Sequence, residues 1–380
     1  MRRTFIPIAT GFALGYFAVR CFETLSVWGK EPRRLPQDAA QYGKTRRALM
    51  LAGIARSIAS LTVSAYVVAS RLERLPAPLA FAALSAVDAV LDLPIDYVEH
   101  YRLERAYGMS EQSTDAWLTD RAKILGLTCA IGGPLVGLLL SVVRRMPKRW
   151  LTIVALALGP FQILVQLVAP TFIAPLFNKF VPLEGPLEER LRALAHRYGV
   201  GDAAILRVDM SRRTTKANAY VVGLFGTHRI VVGDTLLDDF TPEEIEFVVA
   251  HELGHYVHRD TWKLVGIGTL GGIVILAAAD AAVGDDPPSG SFAWLTRIML
   301  FATLLSTLAG PLVAAIARQI EWDADAFARE ATQHPEWGAA AFTRLRDKNL
   351  AEDEQPAWME YLFSTHPSLK RRIEALRTAV

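Results

Sequence analysis

The amino-acid sequence predicts a mainly α-helical protein in two parts: a seven-helix transmembrane bundle and, outside the bilayer, a smaller α+β domain with a small sheet. Three observations lead there. Over 380 residues, 52% are hydrophobic and only 21% charged, a balance too apolar for an ordinary soluble enzyme. Seven apolar stretches are long enough to cross a bilayer, at 5–26, 49–70, 77–98, 124–143, 150–174, 264–283 and 294–317. Between the fifth and sixth lies the pentapeptide His251-Glu252-Leu253-Gly254-His255.

The first stretch follows Arg2 and Arg3, as a signal peptide would, but it runs for about twenty residues without a small-x-small cleavage site, so a retained helix is expected. The second contains Arg56. The third carries Asp88, Asp92 and Asp96, which a four-residue spacing aligns along one helical face. Lipid does not tolerate such a stripe, so these carboxylates should line a watery interior or pair with Arg56. The alternative is that part of this region lies at the interface or forms a soluble bundle. Cys21 and Cys129 fall within apolar stretches and read as packing residues, not as a disulfide or a metal pair.

Loop charges orient the bundle. The connection Gly284 to Phe292 carries Asp285 and Asp286 and no Lys or Arg, which marks the non-cytoplasmic side. The HELGH segment and the C-terminal tail then face the cytoplasm, at a bacterial inner membrane or the endoplasmic reticulum. Lys30, Arg33, Arg34, Lys44, Arg46 and Arg47 after the first stretch agree; Arg144, Arg145, Lys148 and Arg149 after the fourth run against it. A net charge of +2 with no basic stripe interleaved with aromatics excludes a nucleic-acid partner.

The chain thus divides into 1–178 (five membrane helices), 179–263 (HELGH region), 264–317 (helices six and seven) and 318–380 (C-terminal region). Within 179–263, Pro186 to Tyr198 has a helical pattern and Ile205 to Val208 reads as a strand. Ala217 to Phe225 and Arg229 to Val232, joined through Gly226-Thr227, read as a hairpin. Thr241-Pro242-Glu243-Glu244 then supplies an N-cap, a proline at the first helical position and a capping-box glutamate. On the helix that follows, His251 and His255 face the same way one turn apart and can share a tetrahedral zinc ion. Zinc lowers the pKa of a coordinated water to about 7, and Glu252 can take its proton as it attacks a peptide carbonyl. That is metalloprotease chemistry, and an edge strand of the small sheet could pair with an extended substrate backbone.

A catalytic zinc normally keeps three protein ligands, so HELGH needs a partner. Glu321, in Ile320-Glu321-Trp322-Asp323-Ala324-Asp325 beyond the last apolar stretch, is the best candidate. Asp325 shares its helical face and could orient a ligand imidazole. The plainer alternative is a solvated helix face. His258 and His366 compete as ligands, but His258 lies about 4.5 Å further along the helix axis. His366, with Arg372, is better suited to donate toward a developing oxyanion, unless the two belong to an ordinary surface turn and helix. His100, His196, His228 and His334 have no constellation around them.

Several segments together resemble the type I CAAX prenyl endopeptidases, a family of integral-membrane zinc metalloproteases. The resemblance runs from about residue 97 onward. Its marks are Glu104 to Ser113 with Trp117 and Asp120, Ile173 to Phe180, Ser211-Arg212-Arg213, Asn218-Ala219-Tyr220, Val232 to Leu237, HELGH, EWDAD and THPSLKRR. It implies a bundle enclosing a water-filled chamber, capped on the cytoplasmic side by a zincin-like domain. It also implies one Zn2+ on His251, His255 and Glu321, Glu252 as general base, substrate backbone along Asn218, Ala219 and Tyr220, and His366 and Arg372 near the scissile bond.

The implied function is cleavage of peptide bonds near the C-terminus of CAAX-type, prenylated or similar extended peptides. The alternatives are general quality control of membrane proteins by the same chemistry, without prenyl dependence, and a non-catalytic membrane scaffold. Two departures stand out. The family often has a histidine nine residues after the first motif histidine, where this chain has Asp260, and the first hundred residues match only in hydropathy.

Overall fold

The computed structural model describes residues 2–284 and 288–378, without the side chains of residues 2–9 and 13. Asp285 and Asp286, on which the loop assignment rests, lie outside the described residues. Five long helices come first: α1 (Arg2–Val27), α2 (Ala39–Leu72), α3 (Ala77–Ala106), α4 (Thr114–Arg145) and α5 (Trp150–Leu176). Then follow β1 (Phe180–Pro182), α6 (Pro186–Arg197), β2 (Ala204–Val208), β3 (Ala219–Val222), β4 (Arg229–Gly233), α7 (Asp234–Asp239) and α8 (Pro242–Val257). The chain ends with α9 (Asp260–Val283), α10 (Phe292–Thr332), α11 (Pro335–Lys348), α12 (Ala357–Phe363) and α13 (Leu369–Arg377).

Among the described residues, six helices are long and apolar enough to cross a membrane: α2, α3, α4, α5, α9 and α10. The first apolar stretch does form a helix, α1, but it is not among the six, so the count established is one short of the expected seven.

The aspartate stripe on α3 turns inward. Arg56 of α2 pairs with Asp92, Ser60 donates to Asp88 at 3.3 Å, and Arg121 of α4 lies 3.1 Å from Asp96. Charges on apolar helices survive by such pairing. Arg56, Ser60, Asp88 and Asp92 also border a cavity of ≈ 130 Å³ between α1, α2 and α3.

The sheet has the order β1-β2-β4-β3. β2 and β4 run parallel, while β1 pairs antiparallel with β2 and β3 antiparallel with β4, with Ala219 opposite Val232. The hairpin expected from Gly226-Thr227 is therefore present, and β1 extends the sheet on the other side. Alternation explains the placement: Ile230 and Val232 point into a core that also takes Leu191 and Leu194 of α6 and Phe247 of α8. The same core takes Phe342 of α11 and Ile373 of α13, so the polar segments before and after the 264–317 membrane pair fold as one body. Each fully buried Leu, Ile or Phe there contributes about 1.5–3 kcal/mol.

This body is tied to the bundle just before β3. Arg213 donates to Asp120 of α4 at 2.9 Å and to Asn178 at 3.0 Å, and its guanidinium lies over the Phe177 ring. Ser110 donates to the Arg213 carbonyl at 2.6 Å, and Lys216 lies 2.8 Å from Glu104 of α3. Replacing Arg213 leaves Asp120 half-buried without its cation. We expect Arg213→Met to lower stability in detergent by about 2 kcal/mol, read as a drop in Tm, and to expose the 209–217 segment to limited proteolysis. An unchanged Tm with unchanged cleavage would show that the tie carries no stability.

Candidate active site

The helix carrying the two histidines begins as its sequence dictates. Thr241 accepts from the Glu244 amide at 3.3 Å, and the Glu244 carboxylate accepts from the Thr241 amide at 2.9 Å, completing the capping box. The glycine inside the motif has a packing reason. A Cβ on Gly254 would stand 3.2 Å from the Ala324 Cα and 3.3 Å from the Phe327 Cβ, so α8 and α10 touch there almost backbone to backbone. That contact brings Glu321 and Asp325 over His251 and His255.

The two imidazoles cross at 85° with centroids 4.9 Å apart. Each Nδ1 meets a carboxylate: Asp325 at 2.9 Å for His251, and Asp260 at 3.0 Å for His255. Both Nε2 atoms converge on Glu321, at 3.3 Å from His251 and 3.6 Å from His255. Two donors bound to zinc at about 2.1 Å in a tetrahedron stand about 3.4 Å apart, so this spacing fits an ion between them. Glu321 Oε2 is buried and has no hydrogen-bond partner, which is what a ligand atom facing a cation site looks like. Ligand atoms of His251, Glu252 and His255 also lie within 4.8 Å of one another, and of the two glutamates it is Glu321 that stands within ligand spacing of both Nε2 atoms.

Around this centre, His366 Nε2 is 3.2 Å from Glu321 Oε1, its Nδ1 meets Thr365 Oγ1 at 2.9 Å, and the side chain is 62% exposed. Arg372 is buried, unlike a residue on a surface helix. It donates to Asp325 through Nε at 2.8 Å and Nη2 at 2.6 Å, and stacks 4.1 Å over the Phe342 ring. Its remaining Nη1 lies 3.4 Å from Glu321 Oε2. Withdrawal from water pushes the Glu252 carboxyl above the ordinary carboxylate value, against the pull of His251 and His255. Burial disfavours the imidazolium of His251, yet the hydrogen bond to Asp325 and the Glu321 carboxylate beside its Nε2 outweigh that and raise it to about 9 in the metal-free chain.

Asn218, Ala219 and Tyr220 enter and form β3, which ends the sheet and lies against α8 with one edge unpaired in the sheet. His258 caps the end of α8, edge-on to Phe327, outside the ligand cluster. The sequence marks Asp260 only as a departure from the family pattern and gives no sign of its contact with His255; it is buried at 3% exposure and also holds Lys263 at 2.8 Å. No helical spacing links it to His255, because Arg259 at φ 57 breaks the chain between α8 and α9 and turns Asp260 back. An aspartate opening a helix otherwise reads as a favourable dipole partner. His228, without an apparent constellation in sequence, packs edge-on to Tyr256 and borders a cavity of ≈ 640 Å³ that reaches His255.

Residues 183–380 match the family model of peptidase family M48, and residues 46–179 match that of the CAAX prenyl protease N-terminal region, described as five membrane helices. The chain belongs to peptidase family M48. Among its relatives, "CAAX prenyl protease 1" of Saccharomyces cerevisiae is 32% identical over 319 residues, covering 77% of this chain and 70% of that one. "CAAX prenyl protease 1 homolog" of Homo sapiens is 25% identical over 346 residues, covering 76% and 71%. The crystal structure of S. mikatae Ste24p superposes with a TM-score of 0.75 at 27% identity, over 98% of this chain and 99% of that one. As an M48 member with six membrane-capable helices, the chain is an integral multi-pass membrane metallopeptidase.

Two measurements test the site. Asp260→Asn keeps a polar group but loses the charge that orients His255, so zinc affinity by chelator competition should fall about 10–100-fold, and the same holds for Asp325→Asn. Because a protonated His251 cannot ligate, zinc uptake by the metal-free protein should release its proton below pH 9, with affinity rising toward that pH. Calorimetry in buffers of different ionisation enthalpy reads that proton directly; uptake without proton release would contradict it.

Proposed function

We propose that this chain is a zinc endopeptidase that cleaves near the C-terminus of CAAX-type or similar extended peptides, prenylated or not. In this reading the catalytic body, 179–263 with 318–380, faces the cytoplasm and caps a seven-helix bundle that encloses a water-filled chamber. The observation that carries the chemistry is the convergence of both Nε2 atoms on Glu321 while carboxylates occupy both Nδ1 atoms. The named relatives support the substrate class, and the inward-facing aspartate stripe supports a polar interior.

His251, His255 and Glu321 would hold the zinc, which supplies Lewis acidity toward a peptide carbonyl and acidifies a water. Glu252 takes the proton of the attacking water and delivers it to the leaving amine, a task suited to a carboxyl that burial holds above the ordinary carboxylate value. The free edge of β3, from Asn218 through Tyr220, aligns the substrate backbone. His366, on the open side of Glu321, donates to the oxygen on which charge develops. Arg372 places Asp325, and through it His251, and turns its remaining Nη1 toward the same centre.

Zinc-loaded Glu252→Gln should retain its metal and lose about 10²–10⁴-fold in kcat, whereas Glu321→Ala should lose the zinc itself. A purified Glu252→Gln protein that hydrolyses peptide as fast as the parent would sink the base assignment, and full zinc occupancy in Glu321→Ala would remove the third ligand. A farnesylated CAAX peptide and its unprenylated twin, assayed side by side, decide whether the lipid is read; equal rates would leave a protease indifferent to it.

A further inference from the structure

The ≈ 640 Å³ cavity beside His255 holds side chains that hydrolysis does not use. It runs from His255 past Val221 and Val222 of β3 to Phe225 and Trp262, and its size suits one small organic group. Phe225 is its unusual wall. The ring is 71% exposed and its backbone sits at φ 52, a left-handed conformation that costs a bulky residue about 1–2 kcal/mol.

The surrounding turn holds that conformation. Gly223 lies at φ 107, where a Cβ would stand 2.2 Å from the Thr227 carbonyl oxygen. The Leu224 amide donates to Thr227 Oγ1 at 3.2 Å, that hydroxyl donates back to the Leu224 carbonyl at 2.7 Å, and His228 Nδ1 lies 3.2 Å from the Gly223 carbonyl. Phe225 is thereby presented edge-on to Trp262, with centroids 5.6 Å apart, and Trp262 is itself 40% exposed.

We propose that Phe225 and Trp262 form the wall of a substrate subsite that takes a bulky apolar group from a residue beside the scissile bond. The proposal rests on the peptide-hydrolysis reading of the site. Its occupant follows from continuity: the cavity joins His255 to the free edge of β3, so a chain extended along that edge, at about 3.3 Å per residue, drops a neighbouring side group into the cavity that the two rings wall. Trp262 stands in the first turn of the membrane-capable α9, so an apolar group can arrive from the bilayer border without crossing bulk water. An aromatic pair that served only as a bilayer anchor would need no cavity behind it. An isoprenoid thioether and an aromatic side chain share the required chemistry.

The test uses the zinc-loaded full chain and three peptides alike except for one residue next to the cleaved bond: S-farnesylcysteine, phenylalanine or alanine. The bulky peptides, either the farnesyl one alone or both, should exceed the alanine peptide in kcat/KM by about tenfold or more. In Phe225→Ala and Trp262→Ala that ratio should collapse to within about twofold of one. A ratio that survives both substitutions overturns the proposal. A farnesyl peptide bearing a photoreactive group, bound to Glu252→Gln, reads occupancy without turnover. Label within 221–228 or 256–262 supports the subsite even if the parent cleaves nothing, which would sink only the hydrolysis reading. Label confined elsewhere sinks the subsite whatever the cleavage result.

Discussion

The close approach of α8 and α10 at Gly254 is the contact on which the site depends. Each helix carries a functional pair four residues apart, His251 and His255 on one, Glu321 and Asp325 on the other. Four residues advance a helix by about 6 Å, so two such pairs can face each other only if the axes come near enough for short carboxylates to reach imidazoles. Even a methyl at Gly254 would stand 3.2 Å from the Ala324 Cα, so α10 would have to yield by about a few tenths of an ångström to admit it. The motif's glycine is therefore as much a part of the metal geometry as its histidines.

Charge balance then selects the role of each acid. Burying a carboxylate without a partner is costly, and the site answers by giving most of its acids a cation of their own. Asp325 has Arg372, and Asp260 has Lys263, so both can accept from an imidazole Nδ1 without leaving an uncompensated charge. Glu321 differs. His366 and the Nη1 of Arg372 stand at 3.2 and 3.4 Å from it, yet its buried Oε2 makes no hydrogen bond. Among the described carboxylates of the site, Glu321 presents a buried oxygen without a hydrogen bond at the meeting point of both Nε2 atoms, where a divalent cation would complete it.

What the sequence revealed follows the range of its signals. Local signals were legible: the capping box of α8, the hairpin, and the Pro186 helix all form where composition and spacing place them. Glu321 and Asp325 were legible because they share a helical face just past an apolar stretch, and that helix does continue unbroken from Phe292 to Thr332. Contacts made by chain reversal were not. Asp260 reaches His255 only through the left-handed Arg259, and Arg372 is buried because α13 packs on α11, where Phe342 covers its guanidinium, and reaches back to Asp325 on α10. The three-residue strand β1 carries too little alternation to read, and the first apolar stretch, helical as expected, does not by itself establish a seventh span.

Two of the membrane-capable helices also end in the site. α9 begins at Asp260, the partner of His255, and α10 carries Glu321 and Asp325 on the same 41-residue rod that starts at Phe292. At about 1.5 Å per residue that rod is about 61 Å long, roughly twice a bilayer's hydrocarbon thickness, so its second half lies outside the lipid as the floor of the catalytic body. The proposed ligands are thus set at a fixed height above the bilayer by helices that cannot slide without breaking their own packing. With Arg213 and Lys216 fastening the approach to β3 onto α3 and α4, both the metal-binding side and the substrate-strand side of the cleft are referred to the same bundle. A tilt of α10 relative to α4 would then change the distance between the strand edge and the histidines, so bundle packing sets the width of the cleft as well as its height.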